Sequence, residues 1–258
     1  MSIWRQRAGQ RGYLRIGHRG AAGLAPQNTL LAFREALALG VDAVELDVRR
    51  TLGGQLVVIH GEDLMDSTDQ RGRVSERTLA EVRTADAGQG ERVPLLSEVL
   101  SLVKGKALAV VDLKEASYEE QVVEAIAAYG MSDDVLMCSL SPRSLRCVHA
   151  LDSGLFTLVS YPEDKGGAST KPYLAGAVRL ALALMRSSMP WRISGMIAAA
   201  QAQGAMLYHR LVMPRVVAAV HRRGGFIGTW TVDTPADIAR VQAAGVDSIT
   251  SNRPDLLP

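Results

Sequence analysis

Between Ile16 and His60 the chain places two histidines, an arginine and two carboxylates in an order suited to metal-assisted cleavage of a phosphodiester. The run opens with Ile16-Gly17-His18-Arg19-Gly20, passes Pro26-Gln27-Asn28-Thr29 and Val44-Glu45-Leu46-Asp47-Val48, and closes on Val57-Val58-Ile59-His60. In a strand, side chains two positions apart share a face, so Glu45 and Asp47 converge while Val44, Leu46 and Val48 pack the other way. Two carboxylates on one face of an otherwise apolar strand need compensation, by a cation or by basic partners. Converging oxygens suit a hard divalent cation, and Asp112, at the end of the run Ala107 to Val111, adds a third carboxylate with Lys114 on the same face. His18 and His60 can each give or take a proton near neutral pH, and Arg19 can hold phosphate oxygens through its fork of donors. Taken singly, each histidine reads more readily as a residue that orients a loop by a hydrogen bond. Their order around Glu45 and Asp47 favours chemistry. Trp230 ends a strand and reads either as packing or as an apolar wall for an alcohol moiety. His149, His209 and His221 have no partners nearby in sequence and read as structural, and Glu62, Asp63 and Asp66 as solvated loop charges.

These side chains need a scaffold that brings strand ends together. Short β-branched runs alternate with longer Ala/Leu-rich helical patterns over the whole length, which predicts a parallel sheet wound with helices. Strands are expected near 14–18, 42–48, 107–112, 134–139, 155–160, 205–208, 225–231 and 247–251. Helices are expected over 28–39, 96–103, 117–129, 143–151, 213–223 and 235–244, with one or two more within 172–203. Eight strands in a chain of 258 residues predict an α/β fold, a TIM (β/α)8 barrel forming one domain over 1–258. The run Gln55 to Ile59 follows the second strand too closely for a parallel crossover, so it should return antiparallel through Gly53-Gly54 and carry His60 over the mouth. His18, Glu45, Asp47 and Asp112 then fall at the ends of neighbouring strands, where barrel active sites lie. Residues 61–94 form a polar insertion after the second strand, long enough for a lid or a substrate wall. A second excursion, Pro162 to Pro190, starts with a loose Glu-Asp-Lys-Gly-Gly segment and runs into a helix bearing Tyr173, Leu174 and Met185.

Composition narrows the function classes. Hydrophobic residues make up 47% of the chain and aromatics 5%, as in a soluble enzyme with a core of Ala, Leu and Val. A net charge of +2, with arginines scattered along the sequence, gives no case for nucleic acid. Two cysteines, Cys138 and Cys147, are too few for a disulfide framework and are expected as reduced thiols in the cytoplasm. Met1 to Tyr13 lacks the apolar core of a secretory signal, and the stretch Leu174 to Met185 is too short to span a bilayer, so membrane contact is not favoured.

The motifs together resemble the glycerophosphodiester phosphodiesterase family over nearly the whole chain. The resemblance rests on His18-Arg19-Gly20, the Pro-x-Asn-Thr helix start with Ala32-Phe33 and Ala36, the Glu-x-Asp pair and the Val-Val-x-His segment. It continues through Arg71-Gly72, Val93 to Leu100, the strand ending in Lys114, Trp230-Thr231-Val232, Gly245-Val246-Asp247 and Asn252-Arg253-Pro254. It implies a barrel with an insertion after the second strand, His18 and His60 as general acid and base, and Arg19 and Lys114 on the phosphate. It also implies Glu45, Asp47 and Asp112 around Mg2+ or Ca2+, and a small phosphodiester cleaved to glycerol 3-phosphate and an alcohol. Four positions depart from the family pattern: Gln27 and Gly61 each replace a carboxylate, Asp112 replaces a Glu, and Ser251-Asn252-Arg253-Pro254 replaces Thr-Asp-x-Pro. These departures keep two other readings open, cleavage of a lysophospholipid and a non-catalytic phosphodiester-binding protein. Either water or the glycerol hydroxyl is open as the nucleophile.

Overall fold

The computed structural model describes residues 2–162 and 171–258. Its strands are β1 (Leu14–Gly17), β2 (Ala43–Arg50), β3 (Leu56–Val58), β4 (Leu108–Leu113), β5 (Val135–Ser139), β6 (Phe156–Tyr161), β7 (Gly204–Tyr208), β8 (Phe226–Trp230) and β9 (Ser248–Ser251). Its helices are α1 (Ile3–Arg11), α2 (Leu30–Ala38), α3 (Leu79–Val82), α4 (Leu96–Val103), α5 (Glu119–Ala128), α6 (Pro142–Leu151), α7 (Ala175–Ala200), α8 (Pro214–His221) and α9 (Pro235–Ala244). Eight strands run parallel in the order β1-β9-β8-β7-β6-β5-β4-β2, and the sheet closes where β1 pairs with β2 through Ile16 and Ala43. This is the TIM barrel that the alternating pattern predicts. β3 stands outside the barrel, antiparallel to β2 with Val48 opposite Val58, as the short Gly-Gly turn requires.

Side-chain alternation sorts the core into layers. Outward residues of the first strands, Val44, Leu46, Val48, Ala109 and Val111, pack under α2, α4 and α5 in one apolar cluster. A second cluster lies between β7 to β9 and helices α7 to α9. Inward residues fill the barrel itself. Where the sequence is polar but the element forms, a cap explains it: Thr29 Oγ1 accepts from Ala32 N to start α2, so the helix begins two residues later than the pattern suggests.

Two helices have no sequence expectation behind them, α1 and the single turn α3 in the insertion. α1 reads Ile-Trp-Arg-Gln-Arg-Ala-Gly-Gln-Arg, too polar to show an apolar stripe, and buries only Trp4 and Ala8, one turn apart. Those two side chains join Leu14, Ile16, Phe156 and Phe226 in the interior cluster. The insertion packs Leu64, Val74, Val82 and Val93 in a small cluster against Val57 of β3 and Ile59 just after it. The segment 172–203 holds one long helix rather than two, α7. The loose Glu-Asp-Lys-Gly-Gly run ahead of it lies outside the described residues. No helix of the described residues is long and apolar enough to cross a membrane.

Candidate active site

β2 supplies the centre of the site. Glu45 and Asp47 point into the barrel, Asp47 is paired in register with Asp112 on β4, and one oxygen from each of the three carboxylates lies within 4.8 Å of the others. Lys114, just past the end of β4, reaches between them: its Nζ is 2.5 Å from Asp112 Oδ2 and 2.8 Å from Asp47 Oδ1, the second an ion pair set off the hydrogen-bond direction. Arg19 Nε lies 3.1 Å from Asp47 Oδ2, and Asn28 Nδ2 donates to the same oxygen at 2.8 Å. Asn28 also accepts from the Asp47 N–H at 3.3 Å, so its side chain clamps that residue at both ends.

The loop after β1 is bent to allow this. Arg19 and Asn28 both have positive φ, which costs a residue with a Cβ and is found where a site over-determines the backbone. The bend turns the Arg19 N–H onto Glu45 Oε2 at 2.8 Å while its side chain reaches Asp47 and Gln27 Oε1. Gly20 follows because a Cβ there would strike the backbone of Ala32 on α2. His18 is held from the neighbouring strand β9, the last in sequence. Asn252 donates through Nδ2 to Asp233 Oδ2 at 2.8 Å, which fixes its Oδ1 as the acceptor facing His18 Nδ1 at 2.7 Å. The proton therefore sits on Nδ1, and Nε2 carries its lone pair inward, 3.8 Å from Glu45 Oε2.

Burial and charge set the protonation states. Burial lowers His18 to about 4 and His60 to about 3, so both imidazoles are neutral at pH 7. Burial by itself would raise Asp47, but Lys114 and Arg19 hold it ionised, well below the usual carboxylate range. Glu45 is pushed well above its ordinary value, first by burial and then by Asp47, and Asp112 is raised by burial against the pull of Lys114. Burial also opposes the charge on Lys114, yet Asp112, Asp47 and Glu45 keep it protonated.

His18, Arg19, Glu45, His60, Asp112, Lys114 and Trp230 all line one cavity of about 420 Å³ at the mouth, so every side chain proposed from sequence reaches it except Asp47, which lies fully buried behind. The apolar part of the wall is Val110 and Cys138, next to Glu45 and Asp112 in the sheet, with Leu140, Met206 and Trp230. A second, more polar cavity of about 570 Å³ opens on the other side of His18 and Arg19, lined by Gln27, Ser67, Ala87 and Asn252, the middle two from the insertion. Arg49 was missed by the sequence reading. Its Nε donates to the His60 carbonyl at 2.9 Å and its Nη1 meets Glu115 Oε1 at 2.5 Å. The signal was present, because Arg49 is the next residue on the face of Glu45 and Asp47. At Gly61 the place of a side chain is taken by Asp66, whose carboxylate packs against it. His209 and His221 are structural, with Arg240 and Asp247 as their respective partners, and both cysteines are free.

A closed parallel barrel with ionisable side chains gathered at the C-terminal ends of its first strands defines a TIM-barrel enzyme. The model of the glycerophosphoryl diester phosphodiesterase family matches residues 18–256. The chain is 32% identical over 255 residues to a glycerophosphodiester phosphodiesterase of Caldanaerobacter subterraneus, covering 94% of this chain and 95% of that one. It is 31% identical to another from Bacillus altitudinis, with 93% and 94% covered. The crystal structure of a glycerophosphodiester phosphodiesterase from Agrobacterium tumefaciens superposes with a TM-score of 0.76 at 26% identity, covering 95% of this chain and 98% of that one. The chain belongs to the glycerophosphoryl diester phosphodiesterase family and is a phosphoric diester hydrolase.

Proposed function

We propose that this enzyme hydrolyses small glycerophosphodiesters to glycerol 3-phosphate and an alcohol, using Mg2+ or Ca2+ held by Glu45, Asp47 and Asp112. One observation carries the reading: two buried carboxylates and the half-buried Asp112 converge within 4.8 Å, and Asp112 Oδ1 is itself buried with no hydrogen-bond partner. An orphaned carboxylate oxygen aimed into such a cluster fits a hard cation. The charges agree, since Lys114 and Arg19 balance only two of the three carboxylates, and burial with Asp47 alongside pushes Glu45 well above the usual carboxylate range. A bound divalent cation supplies positive charge against the phosphoryl oxygens.

The chain's own residues do the rest. Lys114 and the remaining donors of Arg19 bind the non-bridging phosphate oxygens. His18 and His60 are the general acid and base. His18 is kept in one tautomer by Asn252 and accepts a proton at Nε2, while His60 is steadied through its carbonyl by Arg49. A phosphodiester anion beside these buried imidazoles favours their charged forms, so binding the substrate readies one of them to protonate the leaving alcohol. Trp230 gives the organic moiety an apolar wall, and the insertion closes the side of the second cavity.

Release of glycerol 3-phosphate from a panel of glycerophosphodiesters, with Mg2+, Ca2+ or EDTA, tests the proposal. The expected result is cation-dependent release that His18→Ala and Glu45→Ala both abolish while leaving the far-ultraviolet circular dichroism intact. Turnover that persists in EDTA or in both variants would refute it. A lysophospholipid is the second reading, favoured by the exposed apolar side chains of α7, and choline release from lysophosphatidylcholine distinguishes it.

A further inference from the structure

α7 is out of proportion to the barrel. It has 26 residues, about 39 Å of helix, where α4, α5, α6, α8 and α9 have eight to ten. Its fully buried residues are Met189, Ile193 and Ala200, all in its second half. A helix that follows a barrel strand starts at the mouth and runs back along the sheet, so the first half of α7 stands at the mouth end. It follows β6 by way of Pro162, which lines the central cavity.

The outer face of α7 is apolar where solvent should select polar residues. Leu180, Leu184 and Trp191 are 63%, 62% and 79% exposed. At 100° per residue they fall within about 40° of one another, diametrically across the helix from Met189 and Ile193. On the same count Arg179 and Arg186 lie about 120° to 140° from the middle of this stripe on one side and Arg192 about 100° on the other, where its guanidinium stacks 5.6 Å from the centre of the Tyr161 ring. The surrounding charge has one sign. α6, α7 and α8 together carry six arginines and no Asp or Glu, whereas α4 and α5 carry four glutamates and no Lys or Arg. The net charge of +2 hides this division.

An apolar stripe on a helix whose only charged side chains are arginines is complementary to anionic lipid. A second copy of this chain fits less well, because a symmetric contact through this face would oppose arginine to arginine. We propose that α7 docks the barrel on an anionic membrane surface, with Leu180, Leu184 and Trp191 in the interface and the arginines along the headgroups. The mouth of the cavity then lies beside the lipid.

Sedimentation with vesicles tests this and reads partition alone, whatever the enzyme cleaves. The intact protein is expected to sediment with mixed phosphatidylcholine and phosphatidylglycerol vesicles, to stay in solution with phosphatidylcholine alone, and to be released by high salt. Leu184→Ser with Trp191→Ser should lower the partition coefficient at least tenfold, and Arg179→Gln with Arg186→Gln about tenfold. Hydrolysis of a soluble phosphodiester should be unchanged in both, because these side chains are solvent-exposed. Brominated lipid should quench the intact protein's tryptophan emission, and Trp191→Phe should remove that quenching. Failure to sediment with anionic vesicles, or sedimentation unaffected by both double variants, overturns the proposal. So does a lipid-free dimer that Leu184→Arg dissociates, which would assign the face to a second copy.

Discussion

At the base of the barrel the interior is filled by Trp4, Leu14, Phe156 and Phe226, with the two phenylalanine rings edge to face at 5.6 Å. At the mouth the same interior holds three carboxylates, a lysine, an arginine and two histidines. The base gains stability from apolar area removed from water. The mouth keeps charges out of water and must offset that cost by pairing each against another. The two ends should therefore respond to substitution in different measures: a change at the base costs folding, and a change at the mouth costs turnover. Asp47 is the exception, because it serves both. It is fully buried and ion-paired with both Lys114 and Arg19.

Asp47→Asn is expected to give the largest effect. It keeps the shape but leaves Lys114 and Arg19 without the carboxylate that both of them face. Turnover should fall by more than about a thousandfold, and stability by about 3 to 5 kcal/mol, as when one partner of a buried ion pair is removed. Urea unfolding monitored beside the activity assay checks both. A variant with full stability and no activity would show that the mouth can be emptied of charge without cost, and the contrast between the ends would sharpen.

Trp4→Ala comes next. Removing a fully buried indole from the base should cost about 3 to 5 kcal/mol, with activity per folded molecule unchanged. Trp4→Phe refines this. The indole Nε1 is buried without a hydrogen-bond partner, so exchange for a ring lacking that donor should cost much less than truncation. A large loss of turnover in either variant, at temperatures where both are folded, would break the division between base and mouth.

The two ends also differ in how far the sequence reveals them. The mouth is legible wherever a local period carries the information. Glu45 and Asp47 alternate with buried Val44, Leu46 and Val48, and the eight barrel strands follow from pattern to within two residues. The same period reaches Arg49, and its role was lost only because an arginine at a strand end passes for a solvated charge. What remains hidden depends on contacts between distant segments. Nothing near His18 announces Asn252, 234 residues away, or the step from Asn252 to Asp233. Asp66 reads as a loop charge, and only the fold packs it against Gly61. The base is hidden for another reason, since α1 buries two side chains in nine residues and leaves no stripe to detect.

Asn252→Leu probes one of those hidden contacts. It removes the acceptor at His18 Nδ1 and the link to Asp233, so the ring loses both its tautomer and its orientation while the cavity keeps its charges. Loss of such an orienting partner typically costs ten- to a hundredfold, and here it should fall on kcat with KM nearly unchanged. Steady-state kinetics on a soluble substrate would show it, and a rise in KM alone would mean that Asn252 shapes the second cavity instead of holding His18.

Trp230→Ala should give the smallest effect. The indole lines the cavity opposite the charges, 5.9 Å from the Tyr208 ring, with its Nε1 donating to Met206 O at 3.4 Å. That hydrogen bond is long, and the side chain is only partly buried, so little stability depends on it. An apolar wall acts on ground state and transition state alike, which predicts KM raised about three- to tenfold with kcat within about twofold. Conversely, a fall in kcat at constant KM would place Trp230 against the reacting atoms, and the apolar side of the mouth would then share the chemistry now confined to β1, β2, β4 and their loops.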